Sequence, residues 1–351
     1  MPEGAMTVAY AFDPIFLEHD DPQHIERRDR LERILDVLRA HGVLDQTMAL
    51  PVEPIPMERL SRVHQASYVE RVRRLAERGG GGLNFPGDET YVTPRSFEAA
   101  LRAAGAVETA VAAVWEGRAR RAFALVRPPG HHAFPDHGEG FCIFNNIALG
   151  ARFAREELGA RRVMIVDFDL HHGNGTQAIF YTDPSVLYLS THQWGIYPGT
   201  GHWREIGAGP GEGATINLPL PMGVGDRGFE RIFEAVIAPA ARRFEPEILL
   251  VSAGYDPHWG DPLGGLTMTV SGFAALTRRL TELADVLCQG RLVFVLEGGY
   301  HRDALAYGVL AAFRLWLGHE EVVDPLGPPP RADEPSVEGL IANVRRLHRL
   351  E

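Results

Sequence analysis

The sequence predicts an α/β protein built on one mainly parallel β-sheet with helices on its faces, and three observations carry that reading. Five short apolar runs, residues 122–126, 163–166, 186–190, 248–252 and 292–296, lack polar alternation, as strands buried on both faces require. Helical patterns over residues 96–115, 145–158, 229–243 and 271–288 fall between several of these runs, which is the signature of βαβ units. The chemically loaded segments follow the strands directly, at residues 127–133, 167–175, 254–261 and 297–300. Ligands of open parallel sheets bind beyond the carboxyl ends of the strands, so one crevice can collect all four.

The punctuation between elements is consistent with a single domain over residues 1–351. Ser96 and Ser271 stand where helix N-caps are expected. Four consecutive glycines at 79–82, followed by Leu-Asn-Phe-Pro-Gly, read as a flexible loop. Residues 325–335, rich in proline and charge, are expected to wrap the surface before a last helix over 337–349. Neither segment divides the chain.

Composition narrows the function classes. Lys and Arg number 35 against 46 Asp and Glu, a net charge of −11. That balance opposes broad attraction to nucleic acid or anionic membranes, and no stretch is apolar enough to span a bilayer. The two cysteines, Cys142 and Cys288, form no C-x-x-C pattern, and the N-terminus lacks a secretory pattern, so a reducing cytoplasm is the expected location.

The densest constellation is Asp167-Phe-Asp-Leu-His-His-Gly-Asn-Gly-Thr. Alternate side chains of a strand share a face, which would align Asp167, Asp169 and His171. A carboxylate and an imidazole two residues apart suit a divalent metal, and zinc accepts such N/O ligands in catalytic sites with an open position. Asp256, after the apolar run 248–252, can supply a third ligand, although an isolated Asp there is more often a turn or cap residue. In Arg127-Pro-Pro-Gly-His131-His132-Ala, one histidine can act as general base and the other as an electrostatic partner. As an isolated dipeptide, the pair is more often a surface feature.

Tyr300, in Leu296-Glu-Gly-Gly-Tyr, can donate its O–H to an oxyanion. No G-x-G-x-x-G or Walker pattern follows that strand, which argues against a nucleotide site. Cys142, in Gly140-Phe-Cys-Ile-Phe-Asn-Asn, is a nucleophile only if its thiolate is accessible. Its apolar neighbours predict an inert thiol.

Together these motifs resemble the histone deacetylase superfamily, which includes acetylpolyamine amidohydrolases, over about residues 10–318. Thr90-Tyr-Val-Thr-Pro and Tyr197-Pro-Gly-Thr-Gly add support. The resemblance implies an arginase/deacetylase-like three-layer fold with a central, mainly parallel sheet of about eight strands. It implies zinc, or iron(II) in its place, held by Asp169, His171 and Asp256. His132 would be general base and acid, His131 a charged partner oriented by Asp167, and Tyr300 the oxyanion donor. Asn174 stands where one branch of the family has Asp and another Asn, which aligns the chain with the class II branch. Potassium or sodium would lie near Asp167, Asp169, His171, Ser190 and Thr191, with a second site near Phe180, Asp183 and Val186. Gly140, Phe141, Tyr197 and Leu263 match the substrate wall.

The expected activity is hydrolysis of an acyl-amide, on acyl-lysine or a small acylated amine. Leu263 is apolar where polyamine-specific relatives can carry an acid, which disfavours long polyamines, whereas the negative net charge favours a cationic substrate. A non-catalytic acyl-lysine binder would have lost a ligand, a histidine or the tyrosine, and none is lost. A two-manganese ureohydrolase needs more bridging carboxylates than the motifs contain. A homo-oligomer is compatible with the sequence, since polyamine-type relatives dimerise through a long inserted loop; the segment 79–88 is short for one.

Overall fold

The computed structural model describes residues 8–84, 89–331 and 333–350. Its centre is an eight-stranded, all-parallel sheet. In chain order, the strands are β1 (Val8–Ala11), β2 (Met48–Leu50), β5 (Arg121–Ala124), β6 (Val163–Asp167), β7 (Val186–Gln193), β8 (Thr215–Leu220), β9 (Ile248–Ala253) and β10 (Leu292–Leu296). Two further strands, β3 (Gly81–Gly82) and β4 (Tyr91–Val92), form a separate antiparallel pair. The spatial order of the main sheet is β2-β1-β5-β10-β9-β6-β7-β8.

The five apolar runs occupy β5, β6, β7, β9 and β10, and every residue of those strands is buried. Three strands escape the apolar-run criterion. β1 and β2 are only four and three residues long. β8 lies at the sheet edge and carries Pro219, which lacks the N–H that a central strand would use.

Helices cover the sheet in separate groups. Ser96–Trp115 packs on Asn146–Glu156 and against β5 and β1, whereas Arg302–Trp316 packs on both Asp29–Ala40 and Val270–Leu287. Among the described residues, no helix is long and apolar enough to cross a membrane.

Four local expectations are corrected. The helix starting at Ser96 has Arg95 at its cap position. The Ser96 hydroxyl instead accepts the N–H of Thr93 and bonds His19 Nδ1, both at 2.6 Å. Thr269, not Ser271, caps Val270–Leu287, accepting the Gly272 N–H at 2.9 Å. Gly81 and Gly82 are paired with Val92 and Tyr91, so half of the glycine run belongs to a ladder. The following residues 85–88 lie outside the described part.

The expected helix over 229–243 is broken into Asp226–Ile232, a π-helical turn Phe233–Ile237 and Ala238–Phe244. Pro239 explains the break, since it has no N–H for the carbonyl of Ala235. Arg345 Nη1, from the last helix Glu338–His348, donates to that freed carbonyl at 3.0 Å. The preceding Pro- and charge-rich segment does wrap back onto the fold. The Glu334 carboxylate accepts the backbone N–H groups of Gly225, Arg227 and Gly228 at 2.9–3.2 Å.

Candidate active site

The four central strands β5, β10, β9 and β6 are neighbours in the sheet, so the segments that follow them converge beyond one edge. Asp167 is in register with both Ser190 of β7 and Ser252 of β9. A pocket of about 370 Å³ opens there, bordered by His131, His132, Asp169, His171, Tyr300 and Phe141 among others.

At its floor, Asp169, His171 and Asp256 bring ligand atoms within 4.8 Å of one another. His171 Nδ1 lies 3.2 Å from Asp169 Oδ1 and 3.2 Å from Asp256 Oδ2. The expectation that a continuing strand aligns Asp167, Asp169 and His171 is corrected: β6 ends at Asp167. The grouping comes instead from two successive turns in which a carboxylate accepts the N–H two residues on. Asp167 Oδ1 accepts from Asp169 N at 3.2 Å, and Asp169 Oδ1 accepts from His171 N at 2.9 Å. Asp167 itself faces away from the trio, towards His131 and the Tyr188 hydroxyl.

The trio suits a divalent cation on chemical grounds. Asp256 Oδ2 is fully buried, faces the same His171 nitrogen as Asp169 Oδ1, and makes no other hydrogen bond, with the Asp169 carboxylate beside it. Burial, followed by the nearby Asp169 charge, pushes the Asp256 carboxyl above the usual carboxylate range, and a cation between the two carboxylates relieves that repulsion. A β-carbon on Gly298 would reach Asp169 Oδ2 at 2.6 Å and collide with Asp256 Oδ2, so glycine keeps this space open. A second cluster, His131, Cys142 and Glu297, is engaged by the protein itself. Glu297 accepts the N–H groups of Gly130 and His131 and the Ser252 hydroxyl at 2.7, 3.2 and 3.1 Å.

The two histidines after β5 have opposite surroundings. His131 Nδ1 lies 3.1 Å from Asp167 Oδ2, and its Nε2 lies 3.8 Å from Asp169 Oδ1. Burial works against its charge, but Asp169, Asp167 and Glu297 outweigh it and raise the imidazole to about 10. His132 Nδ1 lies 2.8 Å from Asn174 Oδ1. Burial, then the neighbouring His131 and His171, holds His132 well below the usual range, hence neutral. His172, also in the motif, is turned away, bonded to Thr200 and Gln177.

Tyr300 stands across the pocket, with the Arg30 guanidinium 4.9 Å from its ring centroid. Desolvation keeps its phenol protonated, with Arg30 opposing. Arg30 is fastened to the same loop, donating to the carbonyls of Gly299 and Glu297 at 2.7 and 2.6 Å. Gly140, Phe141, Tyr197 and Leu263 all border the pocket. Phe141 adopts φ +70°, a left-handed conformation costly for an aromatic residue, and its N–H is held by Thr90 Oγ1 at 3.0 Å. The Cys142 thiol is buried and held well above its usual range, by burial first, so it stays an inert thiol.

Ser190 and Thr191 sit beside Asp167. The Ser190 hydroxyl bonds His192 Nδ1 at 2.9 Å, and the Thr191 hydroxyl lies 3.4 Å from the Asp167 carbonyl. Phe180, Asp183 and Val186 share a tight turn in which the Asp183 carboxylate pairs with Arg152 at 2.8 Å. Sequence reasoning missed Glu26, Arg30, Glu139 and Glu297, which support the site from outside the motifs or without a spacing signal. Glu139 and Glu297 stood within the motif stretches 138–146 and 296–300 but carried no assigned role, whereas Glu26 and Arg30 lay outside every motif.

Comparison with known proteins agrees with this architecture. A family model described as a histone deacetylase domain matches residues 24–316. A histone deacetylase from Oryza sativa, described as chloroplastic, is 42% identical over 360 residues, covering 98% of this chain and 81% of that protein. A polyamine deacetylase from Homo sapiens is 39% identical over 334 residues, covering 92% of this chain and 49% of that protein. The crystal structure of the HDA15 HD domain superposes with a TM-score of 0.88 at 35% identity, covering 98% of this chain and 94% of the other.

Proposed function

The chain belongs to the histone deacetylase family, and from that premise we propose that it deacylates an acylated lysine or a small acylated amine with a single divalent metal. The observation that carries this reading is the convergence on one pocket of a neutral histidine, a protonated tyrosine and two members, Asp169 and His171, of the trio that Asp256 completes.

Zinc, or iron(II), held by that trio would supply a Lewis acid that polarises a carbonyl and makes water more acidic. His132, with Nδ1 committed to Asn174, keeps the lone pair of Nε2 for the proton of the attacking water and later returns a proton to the leaving amine. His131, held as imidazolium by Asp167 and Asp169, adds positive charge beside the reacting amide. The Tyr300 hydroxyl donates to the developing oxyanion, a role worth roughly 3 kcal/mol per donor in other enzymes. Phe141, Tyr197 and Leu263 line the path of an aliphatic stem, with Gly140 leaving room beside His132.

Potassium or sodium is proposed in two supporting positions, beside Asp167, Asp169, His171, Ser190 and Thr191 and in the turn of Phe180, Asp183 and Val186. The pairing of Asp167 with Ser190 in the sheet supports the first.

A second reading, an acylated polyamine as substrate, is favoured by Glu89 and Glu139 on the pocket wall and opposed by Leu263. Comparing kcat/KM for an acetyl-lysine peptide, a long-chain acyl-lysine peptide and acetylputrescine separates the two. Turnover of the peptides above acetylputrescine supports the first reading, and the reverse order supports the second. Absence of hydrolysis in all three, with the metal bound, would overturn both.

A further inference from the structure

Glu139 lies outside the proposed metal ligands, base and oxyanion donor, yet it touches the machinery of His132. It borders the pocket with 23% of its side chain exposed. Its Oε1 accepts the Asn174 Nδ2–H at 2.6 Å. On the other side of that amide, Asn174 Oδ1 lies 2.8 Å from His132 Nδ1 and accepts the Gly175 N–H at 3.1 Å. Behind Glu139, His137 Nε2 lies 3.6 Å from Oε2, and Asp136 Oδ1 lies 2.8 Å from His137 Nδ1.

We propose that Glu139 is a positioning residue that holds the Asn174 amide with its oxygen towards His132, and thereby fixes His132 as the Nδ1–H tautomer. The proposal rests on the deacetylase reading of the pocket and adds to it the group that prepares the base.

The two ends of an asparagine amide are alike in shape and opposite in hydrogen bonding. In the observed orientation every contact joins a donor to an acceptor. Turned by half a rotation, the amide would set its oxygen against the Glu139 carboxylate and its NH2 against the Gly175 N–H. Both contacts would then join like to like. The same NH2 would face His132 Nδ1, which could only accept. The ring proton would move to Nε2, the nitrogen needed with a free lone pair on the pocket side. Gly175 fixes the oxygen end of the amide and Glu139 the nitrogen end. The bond to the carboxylate is charge-assisted, hence the stronger of the two restraints. An aspartate at position 174 would need no such partner, because either of its oxygens accepts from Nδ1–H. The asparagine makes Glu139 necessary.

The test uses the full chain loaded with zinc and a neutral acetyl-lysine peptide. Glu139→Ala is expected to lower kcat by about tenfold or more, as loss of an orienting partner does elsewhere, with KM unchanged. Glu139→Gln, whose amide oxygen still accepts from Asn174, is expected to recover most of that loss. The double variant Glu139→Ala/Asn174→Asp is expected to recover it as well. Nitrogen-15 NMR of labelled histidine reads the tautomer without turnover: His132 carries its proton on Nδ1 in the parent and shifts towards Nε2 in Glu139→Ala.

Wild-type kcat and tautomer in Glu139→Ala would overturn the proposal. So would a raised KM at unchanged kcat, which would make Glu139 a substrate contact. If Glu139→Ala loses its fold, the kcat of Glu139→Gln and the double variant decide, and a tenfold loss in both overturns the proposal. Failure of the parent to hydrolyse any acyl-amide would instead count against the deacetylase reading, and the tautomer measurement would still stand.

Discussion

The carboxylate of Asp261 accepts the backbone N–H of Tyr300 at 2.6 Å and that of His301 at 3.0 Å. Its other oxygen accepts the Leu263 N–H at 3.0 Å, so one buried side chain ties the pocket wall to the loop carrying the proposed oxyanion donor. The Tyr300 loop follows two glycines and has little intrinsic stiffness of its own. Asp261→Ala is therefore expected to lower kcat for an acetyl-lysine peptide by about tenfold, because small misplacements of a catalytic group are costly. Asp261→Asn keeps one acceptor oxygen and should lose less. Equal, wild-type kcat in both variants would separate Asp261 from the positioning of Tyr300.

Tyr300→Phe removes the hydroxyl while leaving the ring in its contacts with Phe141 and Arg30. The expected outcome is a loss of about 10²–10³ in kcat with unchanged metal content. Steady-state kinetics and elemental analysis of the same preparation check it. Near-normal turnover of an acetyl-lysine substrate would remove Tyr300 from the mechanism.

Removing the metal should cost stability as well as activity. Asp169 and Asp256 are both fully buried and face the same nitrogen of His171. A chelator is expected to abolish hydrolysis and lower the melting temperature. Added zinc should restore both, contributing about 3 kcal/mol when its free concentration is a hundredfold above Kd. One zinc or iron per chain agrees with the proposed mechanism, whereas two manganese ions would favour ureohydrolase chemistry.

What could be read from the sequence was governed by locality. The apolar runs of β6, β9 and β10 are legible because central parallel strands are buried on both faces, so polar residues enter only at their carboxyl ends, as Asp167 and Ser252 do. The motif residues lie directly after β5 and β6, so His131, His132, Asp169 and His171 reach one pocket. The supports were illegible because they come from far along the chain. Arg30 grips the carbonyls of Glu297 and Gly299 from the first long helix, and Asp261 holds Tyr300 across 39 residues. Glu139 stood two residues before Phe141 with no spacing to mark it.

Glu26 makes the clearest pH prediction. It is fully buried, with Arg127 Nη2 and Arg30 Nη1 each donating to it at 2.8 Å and His19 Nε2 3.6 Å away. Burial alone would raise its carboxyl, but Arg127, His19 and Arg30 outweigh burial and hold it well below 4.5. A carboxyl depressed in the folded state contributes stability in full above its unfolded value and loses it as pH falls towards the folded value. Urea unfolding of the wild type should therefore weaken more steeply from about pH 5 to about pH 3 than that of Glu26→Gln. At neutral pH the substitution should cost about 3–5 kcal/mol, because it leaves Arg127 and Arg30 buried without a counter-charge. Parallel pH profiles for the two proteins would contradict the assignment.

Gly298 tests the proposed metal trio from the backbone side. Its N–H donates to Asp169 Oδ2 at 2.8 Å, and a β-carbon there would enter the space between Asp169 and Asp256. Its φ lies outside the left-handed region, so alanine meets an obstacle of volume and not of backbone conformation. The obstacle consists of two carboxylate oxygens held by other contacts. Asp256 Oδ1 accepts the Leu170 N–H at 3.0 Å, and Asp169 Oδ1 accepts that of His171 at 2.9 Å. Neither side chain can retreat without losing a buried hydrogen bond, at roughly 1–3 kcal/mol each. Gly298→Ala is thus expected to fold with native secondary structure while its metal affinity falls about tenfold or more, with hydrolysis falling in proportion to bound metal. Metal titration followed by activity, with circular dichroism as the control for folding, reads each part separately. Full metal occupancy in Gly298→Ala at the wild-type Kd would mean that the metal does not use the space between Asp169 and Asp256.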